Sequence, residues 1–155
     1  MTLLVKHIAR KMALRRNRST VSTGLVPLEK VKRAVILMNE AEIGGVPTEE
    51  EIKTFFRNRD IAVTIFRPSS KEIGWIGRIK KSIRTEKDED LFISLYGQSS
   101  FESDYEALCS RAAFKVGRYF LKGEVFDLLL NDPPQRSLTQ IEAFRAITDI
   151  LIKIK

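Results

Sequence analysis

The sequence predicts an α/β fold built on an open, mostly parallel sheet of five strands. Three observations carry this. Short apolar runs recur along the chain and are apolar throughout rather than alternating, which marks strands buried on both faces. Stretches with helical spacing separate several of these runs, and such alternation implies a parallel sheet. A chain of 155 residues, 43% of them hydrophobic, can bury one sizeable core.

The elements follow in order. Ala34 to Met38 is a short apolar run bounded by charge and then by Asn39 and Glu40, and it reads as the first strand. Gly44, Gly45 and Pro47 mark the turn after it. Thr48 with Glu51 suggests a capping box for a helix through about Asn58, with Ile52, Phe55 and Phe56 as its buried stripe. Ile61 to Phe66 is rich in β-branched residues and reads as the second strand, ended by Arg67 and Pro68.

Residues 69–89 read mainly as a connector, with Trp75 expected to cover a sheet edge or crevice. Leu91 to Tyr96 is the third strand. Ser99 and Glu102 have capping-box spacing for a helix whose core stripe is Tyr105, Leu108, Cys109 and Ala112. Phe114 to Arg118 is the fourth strand, and Gly117 inside it predicts a bend or a close backbone approach. Phe126 to Leu130 is the fifth, stopped by Asn131, Asp132, Pro133 and Pro134. Ser137 and Gln140 are spaced to cap a last helix carrying Ile141, Phe144, Ile147, Leu151 and Ile154.

The right-handed crossover rule narrows the layouts. The order 2-1-3-4-5 is favoured, with Leu91 to Tyr96 in the middle and helices on both faces. This is a Rossmann-like sheet. Residues 1–24 read as a basic amphipathic arm and linker, and residues 25–155 as the α/β domain.

Charge is unevenly placed. Lys6, Arg10, Lys11, Arg15, Arg16 and Arg18 fall in residues 1–18 with no acid among them, leaving only +1 of the net +7 for the rest of the chain. Leu4, Ile8 and Met12 follow helical spacing, and Val5, Ala9 and Met12 share an apolar side. Such an arm fits an anionic partner, through Coulomb attraction and counterion release. RNA or a ribonucleoprotein is one candidate and an anionic membrane surface another. A protein partner, self-assembly, or a helix docked on its own domain are further readings. The arm has no aromatic residue to stack bases or to anchor at a lipid interface.

In open parallel sheets, ligands bind beyond the carboxyl ends of the strands. The residues expected there include Asn39, Gly97, Gln98, Ser99, Ser100, Arg118 and Asp132. Gly97 to Ser100 leads into a helix N-terminus, which with Arg118 nearby could receive a phosphate or carboxylate. The simpler account is that Ser99 or Ser100 caps the helix and Gly97 permits a turn. There is no GxGxxG and no Walker loop.

Catalytic and metal signals are weak. The single histidine, His7, lies in the arm, and with one cysteine no zinc pattern exists. Cys109 is expected to be a buried thiol and excludes an internal disulfide. No cofactor, metal site or catalytic residue is expected. No apolar run reaches membrane-spanning length, and the amino terminus lacks the layout of a secretory signal. A cytoplasmic protein is expected, with a peripheral position at the inner membrane as an alternative.

Trp75-Ile76-Gly77, Asp90-Leu91-Phe92-Ile93, Phe114-Lys115-Val116-Gly117 and Asp127-Leu128-Leu129-Leu130, together with the basic arm, resemble a family of small uncharacterised bacterial α/β proteins. That likeness covers most of the chain and implies no activity. Asp90, Gly97, Ser110 to Ala113 and Val116 to Tyr119 are similar to part of the N-terminal domain of heptosyltransferase-type glycosyltransferases. This second resemblance covers about thirty residues and implies a Rossmann-like half. Such enzymes place most of the donor site on a second domain, for which this chain has no room.

Overall fold

The computed structural model describes residues 5, 8–12, 18–19, 23–41, 45–68, 88–123 and 125–155. Five strands form one sheet: β1 (Arg33–Leu37), β2 (Ala62–Phe66), β3 (Leu91–Ser94), β4 (Phe114–Gly117) and β5 (Leu128–Leu129). Their spatial order is β2-β1-β3-β4-β5, and every pairing is parallel. The order and the central place of β3 are as the sequence predicts. The third to fifth runs pair over fewer residues than their apolar lengths suggest, with Leu95 and Tyr96 running on buried past β3.

The helices are α1 (Gly45–Arg57), α2 (Phe101–Cys109) and α3 (Gln140–Lys153). The helices α1 and α3 start away from their expected caps, whereas α2 starts at the second of its two candidate serines. Thr48 lies within α1 and is buried. The N-cap of α2 is Ser100, whose Oγ accepts the Ser103 N–H at 3.3 Å. The N-cap of α3 is Thr139, which forms a reciprocal capping box with Glu142. Asn58 and Arg59 continue the turn after α1, and Asp60 takes a left-handed φ of 56° before β2 begins, a conformation aspartate tolerates better than most residues.

Alternation along the strands explains why they read as continuous apolar runs. Ala34 and Ile36 of β1, Leu91 and Ile93 of β3, and Phe114 and Val116 of β4 pack with α1 and α3. Phe55, Phe56 and Phe144 make the aromatic contact between those helices, with Phe55 edge-on to both of the others. On the opposite face, Val35, Leu37 and Phe92 pack with Ala107 of α2 and with Ala112 and Val125. Both faces are therefore covered, so both are largely apolar.

Gly117 confirms the close-approach reading of its strand. A Cβ there would lie 2.5 Å from the Phe126 ring. Tyr119 meets the same ring edge-on, at 5.7 Å between centroids.

Two aspartates join neighbouring strands at their amino ends. Asp90 Oδ2 accepts the Lys32 and Arg33 N–H groups at 2.8 and 3.1 Å, where β1 begins. Asp127 Oδ2 accepts the Lys115 N–H at 2.9 Å, where β4 begins. The two Asp-Leu pairs of the sequence therefore satisfy backbone donors that would otherwise have no strand partner.

Candidate functional site

Arg118 follows β4, and its side chain is 1% exposed. Nη1 donates to Leu95 O at 2.7 Å, and Nη2 donates to Leu138 O at 2.8 Å and to Asp132 Oδ1 at 3.0 Å. A Cβ on Gly97 would lie 3.5 Å from Nη2, so the guanidinium sits directly behind that glycine. Arg118 thus ties the end of β3 to the segment leading into α3. Its Nε is buried and makes no hydrogen bond. The structure brings Gly97, Arg118 and Asp132 together, but most of the arginine's donors are committed to the protein's own acceptors.

Asn39 is committed in the same way. Gln140 Oε1 accepts its N–H at 2.7 Å, and Gln140 Nε2 donates to its carbonyl at 3.0 Å. The Asn39 side chain closes a local turn by accepting the Ala41 N–H at 3.0 Å. The spacing of Ser137 and Gln140 predicts Gln140 as half of a cap. It is instead buried as the first residue of α3, and it supplies Asn39 with the backbone partners that an adjacent strand would.

Gly97, Gln98 and Ser99 are exposed. Ser99 Oγ donates to Asp104 Oδ2 at 2.6 Å. The other oxygen of Asp104 accepts the Tyr119 hydroxyl at 2.6 Å, which also meets Ser103 Oγ at 2.7 Å. Ser103 in turn meets Ser94 Oγ at 2.8 Å. Burial, reinforced by the Asp104 carboxylate, holds the Tyr119 phenol well above its ordinary range. Burial does the same to Tyr96, helped by Glu102 and Glu40. Both phenols stay protonated at neutral pH. This chain of hydroxyls was not legible in the sequence, because its members come from β3, α2 and the loop after β4.

The arm returns to its own domain. The Arg10 guanidinium lies over the Phe101 ring, at 4.6 Å from the centroid. The Ser19 N–H donates to Leu108 O and the Gly24 N–H to Ala113 O, each at 2.8 Å. Thr23 Oγ1 donates to Asp127 Oδ1 at 2.8 Å. Residues 8–12 are helical. Arg10 points inward, whereas Val5, Ile8 and Met12 are 50%, 48% and 56% exposed. Spaced by three and four residues, these three occupy one side of a helix. Lys11 and Arg18 are exposed as well. Lys6, Arg15 and Arg16 lie outside the described residues, as do His7 and Trp75.

Among the described residues, cavities also lie elsewhere. A groove of about 330 Å³ runs beside edge strand β5, lined by Phe120, Leu121, Phe126 and Leu129 among others. A smaller one lies by Lys115, at the opposite end of β4 from Arg118. Cys109 is half-buried rather than enclosed. Among the described residues, no three His, Cys, Asp or Glu side chains gather to hold a metal ion, and no helix is long and apolar enough to cross a membrane.

A family model described as a Family of unknown function (DUF6913) matches residues 2–145. The chain belongs to this family. The match takes in both the basic arm and the sheet, so arm and domain form part of one family pattern. Comparisons with the curated proteins and with the solved structures give no match.

Proposed function

We propose that this DUF6913 member is a non-catalytic docking module that binds an anionic membrane surface through its N-terminal arm. The observation that carries this reading is the orientation of the arm. An amphipathic helix resting on its own domain normally turns its apolar stripe inward. Here Arg10 faces the domain and Val5, Ile8 and Met12 face solvent. The outward stripe lies in a segment with six cations and no acid. Apolar side chains entering the lipid boundary, with Lys and Arg at the headgroups, are the marks of an interfacial helix.

Magnitudes show that both features are needed. Burying the exposed halves of three such side chains is worth on the order of 3 kcal/mol. Each Lys or Arg near an anionic leaflet adds roughly 1 kcal/mol. Either contribution alone gives weak association, and together they reach roughly the micromolar range. The reading implies a peripheral position on the cytoplasmic side of a membrane, where anionic lipid is concentrated.

Co-sedimentation of the intact chain with vesicles tests this. Binding to phosphatidylglycerol-containing vesicles is expected, with little to neutral phosphatidylcholine vesicles and a steep fall as salt rises. Equal binding to neutral vesicles, or binding to single-stranded RNA without binding to anionic vesicles, would overturn the reading in favour of a purely apolar or a nucleic-acid partner.

A further inference from the structure

Lys115 is a lysine in the middle of a sheet buried on both sides. Its neighbours Phe114 and Val116 join the core under α1 and α3. Lys115 faces the other way, toward the side where Val35, Leu37 and Phe92 are apolar. It is 4% exposed. Burying an ammonium costs several kcal/mol, and a methionine would fill the same space without that cost.

Part of the cost is offset by α2. The Lys115 Nζ donates to Ala107 O at 2.7 Å, in the last turn of that helix. That turn contains no basic residue of its own, and a cation there complements the helix dipole. An ammonium has three donors. Among the described residues, Lys115 Nζ makes only this one hydrogen bond. Burial lowers its pKa to about 8, against the pull of Cys109, Asp127 and Glu89, with Arg18 adding to the lowering. The amine is therefore partly neutral, and nucleophilic, near physiological pH.

Lys115 also lines a cavity of about 150 Å³, bounded by Arg18, Thr23, Leu108, Gly123 and Val125 among others. The room is roughly that of five water molecules, at ~30 Å³ each. Arg18 lies beside it: Gly123 has φ +98°, a conformation that favours glycine, and a Cβ there would stand 2.8 Å from Arg18 Nη2. Among the described residues, Arg18 makes no ion pair. Leu108 and Val125 supply apolar wall. The cavity thus joins a desolvated amine to a guanidinium with no ion pair among the described residues, in a space fit for a molecule of three or four heavy-atom lengths.

We propose that this cavity takes a small 2-oxo acid, whose carboxylate pairs with Arg18 and whose carbonyl condenses reversibly with the Lys115 amine. The neutral amine attacks the carbonyl carbon. The C–N bond forms as the carbonyl π pair moves to oxygen, which takes up a proton, and the nitrogen loses one. The carbinolamine then expels its oxygen as water and closes to the C=N imine. One water leaves per adduct, and no oxidant or reductant is consumed. This site lies at the amino end of β4 and not on the outward stripe, and it shares only Arg18 with the six cations of the docking reading.

The test is reductive trapping on the intact protein. Glyoxylate is added with sodium cyanoborohydride, which reduces the imine to a stable secondary amine, and the modified peptides are mapped by mass spectrometry. Lys115 should be modified in preference to the exposed lysines, more rapidly at pH 8 than at pH 6.5. Arg18→Gln, an exposed change that leaves the amine in place, should lower that labelling roughly tenfold through loss of a charge-assisted hydrogen bond. Labelling spread over exposed lysines with Lys115 unmodified would overturn the proposal. So would equal trapping at Lys115 in wild type and Arg18→Gln.

Discussion

The Arg10 guanidinium covers the Phe101 ring at 4.6 Å, joining the arm to the first turn of α2. This contact turns Arg10 inward and leaves Val5, Ile8 and Met12 about half exposed. A cation over an aromatic face is worth roughly 0.5–2 kcal/mol, which sets how firmly the arm is held.

Phe101→Leu should therefore loosen the arm while leaving the sheet intact. Hydrogen exchange at residues 8–12 should speed up about two- to thirtyfold, the kinetic equivalent of that energy, with exchange in β1 and β3 unchanged. Unaltered exchange at residues 8–12 would show that Phe101 does not hold them.

Arg118→Met should destabilise the domain by about 3 kcal/mol. It leaves Leu95 O, Leu138 O and the Asp132 carboxylate without their donor. Urea unfolding measures this. A loss under ~0.5 kcal/mol would mean that solvent readily replaces the arginine.

Gly117→Ala should cost about 1–3 kcal/mol, because its Cβ would sit 2.5 Å from the Phe126 ring. Phe126→Leu should recover part of that loss in the double variant. Additive costs from the two substitutions would rule out this contact as the reason for the glycine.

Lys115 sets a pH dependence whose sign is fixed. Its folded pKa of about 8 lies below the ordinary lysine value. Between the two values the folded state binds fewer protons than the unfolded state, so stability rises with pH. The penalty of burying the charge is complete below pH 8 and is relieved above it. Lys115→Met should remove this rise between pH 8 and 10. Tyr96 and Tyr119, whose phenols are raised by burial in the folded state, oppose this rise as pH nears the ordinary tyrosine value, but they do so equally in both proteins and cancel in the comparison. Equal slopes for the two proteins in urea unfolding from pH 8 to 10 would contradict the assignment.

The strand order was legible because two-faced burial leaves an unbroken apolar signature, as in Leu91 to Leu95. Cap positions were less so. Ser99 and Ser100 are adjacent hydroxyls and Ser137 and Thr139 lie two positions apart, and the docking of each helix on the sheet decides which one caps. The roles of Asp90, Asp127 and Gln140 depend on what lies on the neighbouring strand or turn, which no local pattern reports. Lys115 is a charged residue within an apolar run, and only the position of α2 shows that it is enclosed. The helical spacing of the arm showed two faces but could not say which one turns inward.

The docking claim is tested most directly by changing the outward stripe alone. Removing the arm would also remove Ser19 and Thr23 contacts with the domain, so Ile8→Glu with Met12→Glu is the cleaner variant. Both side chains are about half exposed, so the fold should be unaffected. Affinity for phosphatidylglycerol vesicles should fall at least about thirtyfold, reflecting roughly 2 kcal/mol of lost apolar burial and further charge repulsion. Unchanged vesicle affinity in a folded variant would contradict the account.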